Sequence, residues 1–252
     1  MKWKVSLALA AGACLFASVT WAQDDSDTGN VQRVYMVSVN AGEGPAFEDG
    51  WKAYSKCYGE NGGKHAMRVW WRETGKLGTY AFVTGDHKWA DWDGMEEADK
   101  ACHEVFQKQF LPHVAKATSD FSTYMADASH VRDSDEPFNV VHVFEFNVSD
   151  NRAFVDSVMK ITEAAKATDW DSDYAWYSVE AGGPHASDFY VVVLGHNFAD
   201  WDKDRVGLWD MVAKHAGKEG AEQIRSDLNK AIDDEWSDIY THRSEMDYMP
   251  KQ

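Results

Sequence analysis

An α+β fold built from two tandem βαββαβ halves is what the 252-residue sequence predicts. Three observations carry it: a Trp-containing heptad that returns once, flanking motifs that return in the same order, and strands that are apolar at both parities. His87-Lys88-Trp89-Ala90-Asp91-Trp92-Asp93 reappears as His196-Asn197-Phe198-Ala199-Asp200-Trp201-Asp202. Upstream, Phe47, Trp51 and Tyr54 match Phe154, Val158 and Ile161, both sets at the i, i+4, i+7 spacing of one helix face. Downstream, Asp120-Phe121-Ser122-Thr123-Tyr124 resembles Asp238-Ile239-Tyr240-Thr241-His242.

The elements follow in order. A strand over Val31–Val39 leads to a helix over Pro45–Tyr58, then strands at His65–Arg72 and Gly78–Thr84. Gly75 lies in the polar turn between the last two, where a positive φ costs glycine little. A long helix is expected over Trp89–Ala117, with Met95, Ala98, Cys102, Val105 and Phe106 as its apolar stripe, and a fourth strand over Phe121–Ala128. The second half repeats this with strands at Phe138–Phe146, Tyr174–Glu180, Phe189–Leu194 and Ile239–Ser244. Its helices fall at Asn151–Ala167 and Ala199–Trp236, the latter broken near Gly217 and Gly220. The expected divisions are a leader over 1–22, a first half over 31–130, a linker over 131–137 closed by Pro137, and a second half over 138–248.

The leader reads as a secretory signal. Lys2 and Lys4 precede an apolar run over Val5–Val19, and Thr20-Trp21-Ala22 offers small residues for a cut before the acidic Gln23-Asp24-Asp25. Ala11-Gly12-Ala13-Cys14 loosely resembles a lipoprotein cleavage site, which makes lipidation at Cys14 a minor alternative. The chain is therefore expected to be exported, to the periplasm or beyond. With 42 acidic against 25 basic residues its formal charge is −17, so a nucleic-acid footprint is missing and no second apolar stretch suggests a stable membrane span. Cys57 and Cys102, on successive helices, are read either as a disulfide or as two buried thiols.

The order strand–helix–strand–strand–helix–strand is the split βαβ, or ferredoxin-like, arrangement. Each half makes a sheet with helices on one face and an apolar face still to be covered, as in Phe138-Asn139-Val140-Val141-His142-Val143-Phe144. Duplicated in one chain and meeting sheet to sheet, the halves resemble the dimeric α+β barrel superfamily over about residues 31–248. That resemblance implies tandem ferredoxin-like domains packed as an intrachain barrel. Its members include cofactor-independent monooxygenases, haem-binding or haem-degrading proteins, isomerase-like enzymes and proteins with no known reaction.

The candidate site residues are polar points in apolar surroundings. His142 lies within the first strand of the second half, aligned with Tyr35 of the first; Tyr124 and His242 form a second exchanged pair, and Tyr174 aligns with His65. His142 and His242 are the candidate catalytic groups, and Tyr35, His65, Tyr124 and Tyr174 the candidate ligand contacts, because imidazole and phenol can orient a carbonyl or phenol and exchange its proton. Ordinary hydrogen bonding of buried polar groups explains the same residues without function. His87 and His196, at matching strand-to-helix junctions, are candidate ligand contacts too. The competing account is a repeated helix start in which Asp91 and Asp200 serve backbone amides and Trp92 and Trp201 dock the turn.

The D-x-D-x-D runs at Asp169–Asp173 and Asp200–Asp204 lack the glycine and glutamate of a calcium loop and read as solvated acidic surface. No zinc motif, phosphate loop or hydrolase elbow is present. The expectation is thus an exported barrel that binds a small aromatic or hydrophobic compound, with no cofactor and no metal. The alternatives are a cofactor-independent monooxygenase or isomerase-like enzyme, a haem protein with one His as axial ligand, or a structural protein, self-association being open in each case.

Overall fold

The computed structural model describes residues 29–94, 96–134 and 136–250. The leader over 1–22 and Cys14 lie outside the described residues.

In the first half, β1 (Val31–Val39), α1 (Gly44–Glu60), β2 (Met67–Arg72), β3 (Thr79–Thr84), α2 (Glu97–Val105) and β4 (Val114–Tyr124) follow in order. In the second they are β5 (Val140–Val148), α3 (Asn151–Thr168), β6 (Tyr174–Ala181), β7 (Phe189–Gly195), α4 (Leu208–Ala231) and β8 (Ile232–His242). The eight strands form a closed antiparallel barrel in the order β1-β3-β2-β8-β5-β7-β6-β4. Read by halves, this is β4-β1-β3-β2 joined to β8-β5-β7-β6. The joins are edge to edge, β2 with β8 and β4 with β6, so closure leaves no sheet edge unpaired. None of the helices among the described residues is long and apolar enough to cross a membrane.

Pleating sends alternate side chains to opposite faces and explains the double parity. Val37, Val69, Tyr80 and Phe82 face outward, where Phe47 and Trp51 of α1 and Phe110 cover them. The matching layer of the second half packs Phe154, Val158 and Ile161 of α3 and Met211 and Val212 of α4 on Trp176, Phe189 and Val191. Trp70, Ala81, Val141, Leu194 and Tyr240 turn into the barrel.

Both long second helices differ from expectation at both ends. After β3 the chain makes a 3-10 turn over Trp89–Trp92, α2, a π-helical turn over Phe106–Phe110 and a 3-10 turn over Leu111–His113, and then enters β4 at Val114. Pro112 has no N–H to continue the helix. Val114 to Thr123 then pair with β1 along its whole length, and that long-range pairing overrides the helix propensity of Val114-Ala115-Lys116-Ala117. The fourth strand ends at Tyr124, and Ala126–Ala128 form a 3-10 turn. In the second half Phe198–Asp202 is a 3-10 turn, α4 begins at Leu208, and β8 starts at Ile232 rather than Ile239. Gly217 interrupts α4 with φ 75°, a conformation open to glycine.

The segment between the halves is anchored. Arg132 binds Asp173 through its backbone N–H at 2.8 Å and through its guanidinium, and reaches Asp171 at 2.7 Å. Asp173 is buried, so the first D-x-D-x-D run is an arginine clamp and not only a solvated surface. A disulfide joins Cys57 of α1 to Cys102 of α2.

Candidate functional site

α1 carries Phe47, Trp51, Tyr54 and Tyr58 along one stripe. The lower members pack on the sheet, and Trp51 Nε1 donates to Met246 O at 2.6 Å. The two tyrosines reach further out and meet α2. Tyr54 Oη donates to Asp99 Oδ1 at 2.5 Å, and Tyr58 Oη donates to Glu96 Oε2 at 2.6 Å. Burial first, and then the carboxylate partner, hold both phenols well above the ordinary tyrosine range, so each keeps its proton.

Below these pairs, α1, α2 and the sheet enclose a cavity of about 600 Å³. Its origin lies in helix length. α4 spans 24 residues and sets Met211, Val212 and Ala221 in the second half's core, whereas α2 spans nine before the π-helical turn and leaves part of the first sheet uncovered. The cavity walls are mostly aromatic and apolar, among them Trp51, Phe82, Phe106, Phe110 and Trp92.

His65 lines this cleft, with Nε2 3.5 Å from Glu96 Oε1. Its ring packs 4.5 Å from His87 and 4.8 Å from Trp92. His87 packs against both and does not itself line the space. Burial, then the neighbouring His65, lower its pKa against the opposing pull of Asp91 and Glu96, which favours neutral imidazole. Tyr35 also lines the cleft, with the Arg33 guanidinium 4.6 Å from its ring centre and 4.9 Å from that of Phe121. Burial raises the Tyr35 phenol, and Arg33 offsets part of that rise. Among the described residues, Arg33 Nε, Trp92 Nε1 and His87 Nε2 are buried with no hydrogen-bond partner. Three orphaned polar atoms around one cleft are costly unless something satisfies them.

The other candidates fall elsewhere. His142 is on the helix-facing side of β5, 4.0 Å from the Phe144 ring, with Nε2 2.9 Å from Ser237 Oγ. Burial lowers its pKa. His242 sits at the Trp70 end of the barrel, 2.8 Å from Asp247 Oδ2. The two proposed catalytic histidines are therefore on different faces of the sheet. Tyr124 packs against Tyr177 with ring centres 5.5 Å apart. Tyr174 is core: its hydroxyl lies 3.0 Å from Thr162 Oγ1, and burial pushes its pKa up to about 12. His196 stacks on Phe138 and reaches Pro137 O. Asp91 and Asp200 accept from the backbone N–H of Lys88 and His196, each at 2.8 Å, so the repeated turn is a capping device at both places.

Strand register also corrects the alignment. Tyr35 pairs with Phe82 and Ser119, while Phe144 pairs with Val191 and Ser237; His142 pairs with Ile239 as Arg33 pairs with Phe121. The residue that matches His142 is thus Arg33, and by the same count Tyr174 matches Met67 rather than His65. Tyr54, Tyr58, Glu96 and Asp99 were not among the sequence candidates. Their trace was the i, i+4 spacing of two polar-tipped aromatics on an otherwise apolar stripe.

A second, smaller cavity of about 140 Å³ lies inside the barrel. Apolar residues from six strands line it together with Gln32, Asp120, Glu145, Tyr177, Tyr190 and Tyr240.

No family model matches the sequence, and no curated protein matches it. Solved structures do. An anthrone oxidase-like protein superposes with TM-score 0.53 at 8% identity, covering 86% of this chain and 92% of that one. A provisionally assigned monooxygenase from Lactobacillus acidophilus NCFM gives 0.52 at 8%, over 85% and 94%. A mutant chlorite dismutase from Candidatus Nitrospira defluvii gives 0.52 at 10%, over 86% and 93%. At such identities the likeness speaks to architecture alone: this chain has the dimeric α+β barrel fold, with all eight strands supplied by one polypeptide.

Proposed function

We propose that the protein binds a small planar aromatic compound bearing an acidic hydroxyl, in the cleft between α1, α2 and the first sheet. One observation carries this reading: the two halves share a strand order, and where Met211 and Val212 of α4 pack on the second sheet, the first leaves a space of about 600 Å³ between its helices and its strands. Aromatic walls suit a flat ligand, and the orphaned Arg33 and Trp92 donors suit its oxygen. Glu96, which lines the cleft beside His65, is the group to accept the hydroxyl proton, and the protonated Tyr35 the group to donate to developing oxygen charge. In that form the cleft supports the isomerisation of an enolisable substrate, or the cofactor-independent oxidation of an enolisable or phenolic substrate with molecular oxygen as the electron acceptor, a reading in keeping with the names of the anthrone oxidase-like and monooxygenase structures.

Haem, carried by some proteins of this superfamily, fits the cleft's walls but not its donors. An axial ligand needs an imidazole nitrogen free toward the cavity. His65 Nε2 faces Glu96, His87 stands behind His65 and Trp92, and His103 is an exposed rim residue. No step is assigned to it.

We further place the protein outside the cytoplasm, as a tandem ferredoxin-like pair over 31–130 and 138–248 linked by 131–137. The signal-like leader supports export, and the Cys57–Cys102 bridge suits an oxidising compartment.

The test is a tryptophan-fluorescence titration with 2-naphthol, using Ala117→Trp to block the cleft from its exposed wall. Saturable quenching by 2-naphthol, weaker for naphthalene and abolished in the blocked variant, is the expected result. An unchanged titration in Ala117→Trp, or no saturation with any planar phenol, refutes the assignment. A Soret band that appears on haem addition and vanishes in His65→Ala would overturn the haem argument.

A further inference from the structure

The barrel interior holds a carboxylate whose counterpart shows what it lacks. Asp120 pairs with Val34, and Asp238 pairs with Val143 at the matching place in the other half. Two residues on, Tyr240 pairs with Arg72 and Ser122 with Val179. Arg72 binds Asp238 through its guanidinium, and Thr74 Oγ1 donates to the same carboxylate at 3.0 Å. Where Arg72 stands in one join, Val179 stands in the other. Asp120 Oδ1 is accordingly sealed from solvent with no hydrogen-bond partner among the described residues.

The space in front of Asp120 is the cavity of about 140 Å³. Glu145 enters it from β5, receiving Ser187 Oγ at 3.1 Å. Tyr240 and Tyr177, only 6% and 4% exposed, line it too, and their hydroxyls bond to no described residue. Much of the remaining wall is Val, Leu and Met. Gly182 brings the β6–β7 connection over this end: a Cβ there would lie 3.0 Å from the Asp120 Cβ and 2.5 Å from that of Ala186. A buried carboxylate that no cation hydrogen-bonds is expensive, and burial, aggravated by Glu145, pushes the Asp120 pKa up to about 7 although the Arg33 charge opposes the rise.

We infer that the barrel interior is a second binding site, separate from the helix–sheet cleft, for a small primary amine with a compact apolar body. The ammonium takes the place that Arg72 fills beside Asp238, bonding to Asp120 and Glu145. The apolar body lies among the valines and the Tyr177 and Tyr240 rings, whose faces favour a neighbouring cation. The size limit is one ring: an apolar cavity of about 150 Å³ holds benzene. Nothing in this assignment depends on the cleft's ligand.

The experiment is calorimetric titration of the intact mature protein with benzylamine, with benzyl alcohol as the neutral isostere. Benzylamine binds saturably and at least about tenfold tighter than the alcohol, the scale of a charge-assisted pair. Asp120→Asn loses that preference and keeps the alcohol's affinity. Val179→Arg, which supplies the missing guanidinium, abolishes amine binding, whereas Ala117→Trp in the cleft leaves it unchanged. Equal affinity for amine and alcohol, no saturable binding of either, or loss of the amine in Ala117→Trp overturns the inference. Should Val179→Arg fail to fold, the pair Asp120→Asn and Glu145→Gln, checked by near-ultraviolet circular dichroism, decides it.

Discussion

Asp120 and Asp238 occupy matching register positions on β4 and β8, and only Asp238 is held by an arginine. This difference has a pH signature. The Asp120 pKa is raised in the fold, from an ordinary 3.8 to about 7. Its protonated form is therefore the one the fold favours. The contribution is fully present below the ordinary carboxylate pKa and is lost as pH rises through about 7. Asp120→Asn imitates the protonated form at every pH. Its melting temperature is expected to exceed that of the parent near pH ~8 and to approach it near pH ~4.5. Differential scanning calorimetry at both values checks this; an equal offset at the two would count against an uncompensated carboxylate.

The occupied counterpart gives the opposite expectation. Asp238 is 5% exposed, and Arg72 and Thr74 are its side-chain partners. Arg72→Ala strands a buried carboxylate at the β2–β8 join and is expected to cost about 3 kcal/mol, since removing one partner of a buried pair leaves the other's desolvation unanswered. Arg72→Met with Asp238→Asn removes both charges and should recover more than half of that loss. Urea unfolding of the single and double variants measures the difference.

The Cys57–Cys102 bridge ties together the two helices that wall the cleft. It closes a loop of sequence separation 45, worth about 4 kcal/mol if the unfolded chain behaves as a simple entropy-limited coil. Paired Cys57→Ala and Cys102→Ala substitutions should lower stability by an amount of that order. They should also weaken 2-naphthol binding, because Tyr54–Asp99 and Tyr58–Glu96 span the same two helices. Loss of stability with unaltered binding at a temperature where the variant is folded would uncouple the bridge from the cleft.

The repeated order of elements was legible because its markers are chemically loud. The capping residues Asp91 and Asp200 do the same backbone work twice, each beside a tryptophan, Trp92 or Trp201. Strand parity also announced two covered faces, although closure through paired edges is a long-range event that local pattern does not encode. The start of β4 was hidden for that reason: Val114-Ala115-Lys116-Ala117 has helix-forming composition and becomes strand through its pairing with β1. Two residues of misalignment set His142 against Tyr35, and only the register shows Arg33 in that place. The cleft itself is an absence of packing. Tyr54 and Tyr58 were visible as a helix stripe, but nothing in the sequence says that α2 stops at Val105 and leaves Glu96 and Asp99 opposite them.

The approach of α1 to the turn after α2 rests on Gly50. A Cβ at this buried helical position would lie 2.0 Å from the Gln109 carbonyl oxygen and 2.7 Å from its carbon, both backbone atoms that no rotamer change can move. Helix propensity alone would favour alanine here by about 1 kcal/mol. The clash outweighs it, because α1 must lift from the Phe106–Phe110 turn and open the contacts of Phe47 and Trp51 with Phe110. Gly50→Ala is expected to destabilise the fold by about 1–3 kcal/mol, the usual cost of overpacking. Gly44→Ala, at the half-buried start of the same helix where an added Cβ meets nothing within 4 Å, should be neutral or mildly stabilising. Chemical denaturation of the two variants makes the comparison. A Gly50→Ala protein as stable as its parent would mean that α1 has freedom to shift, and that the cleft beside it is not a fixed shape.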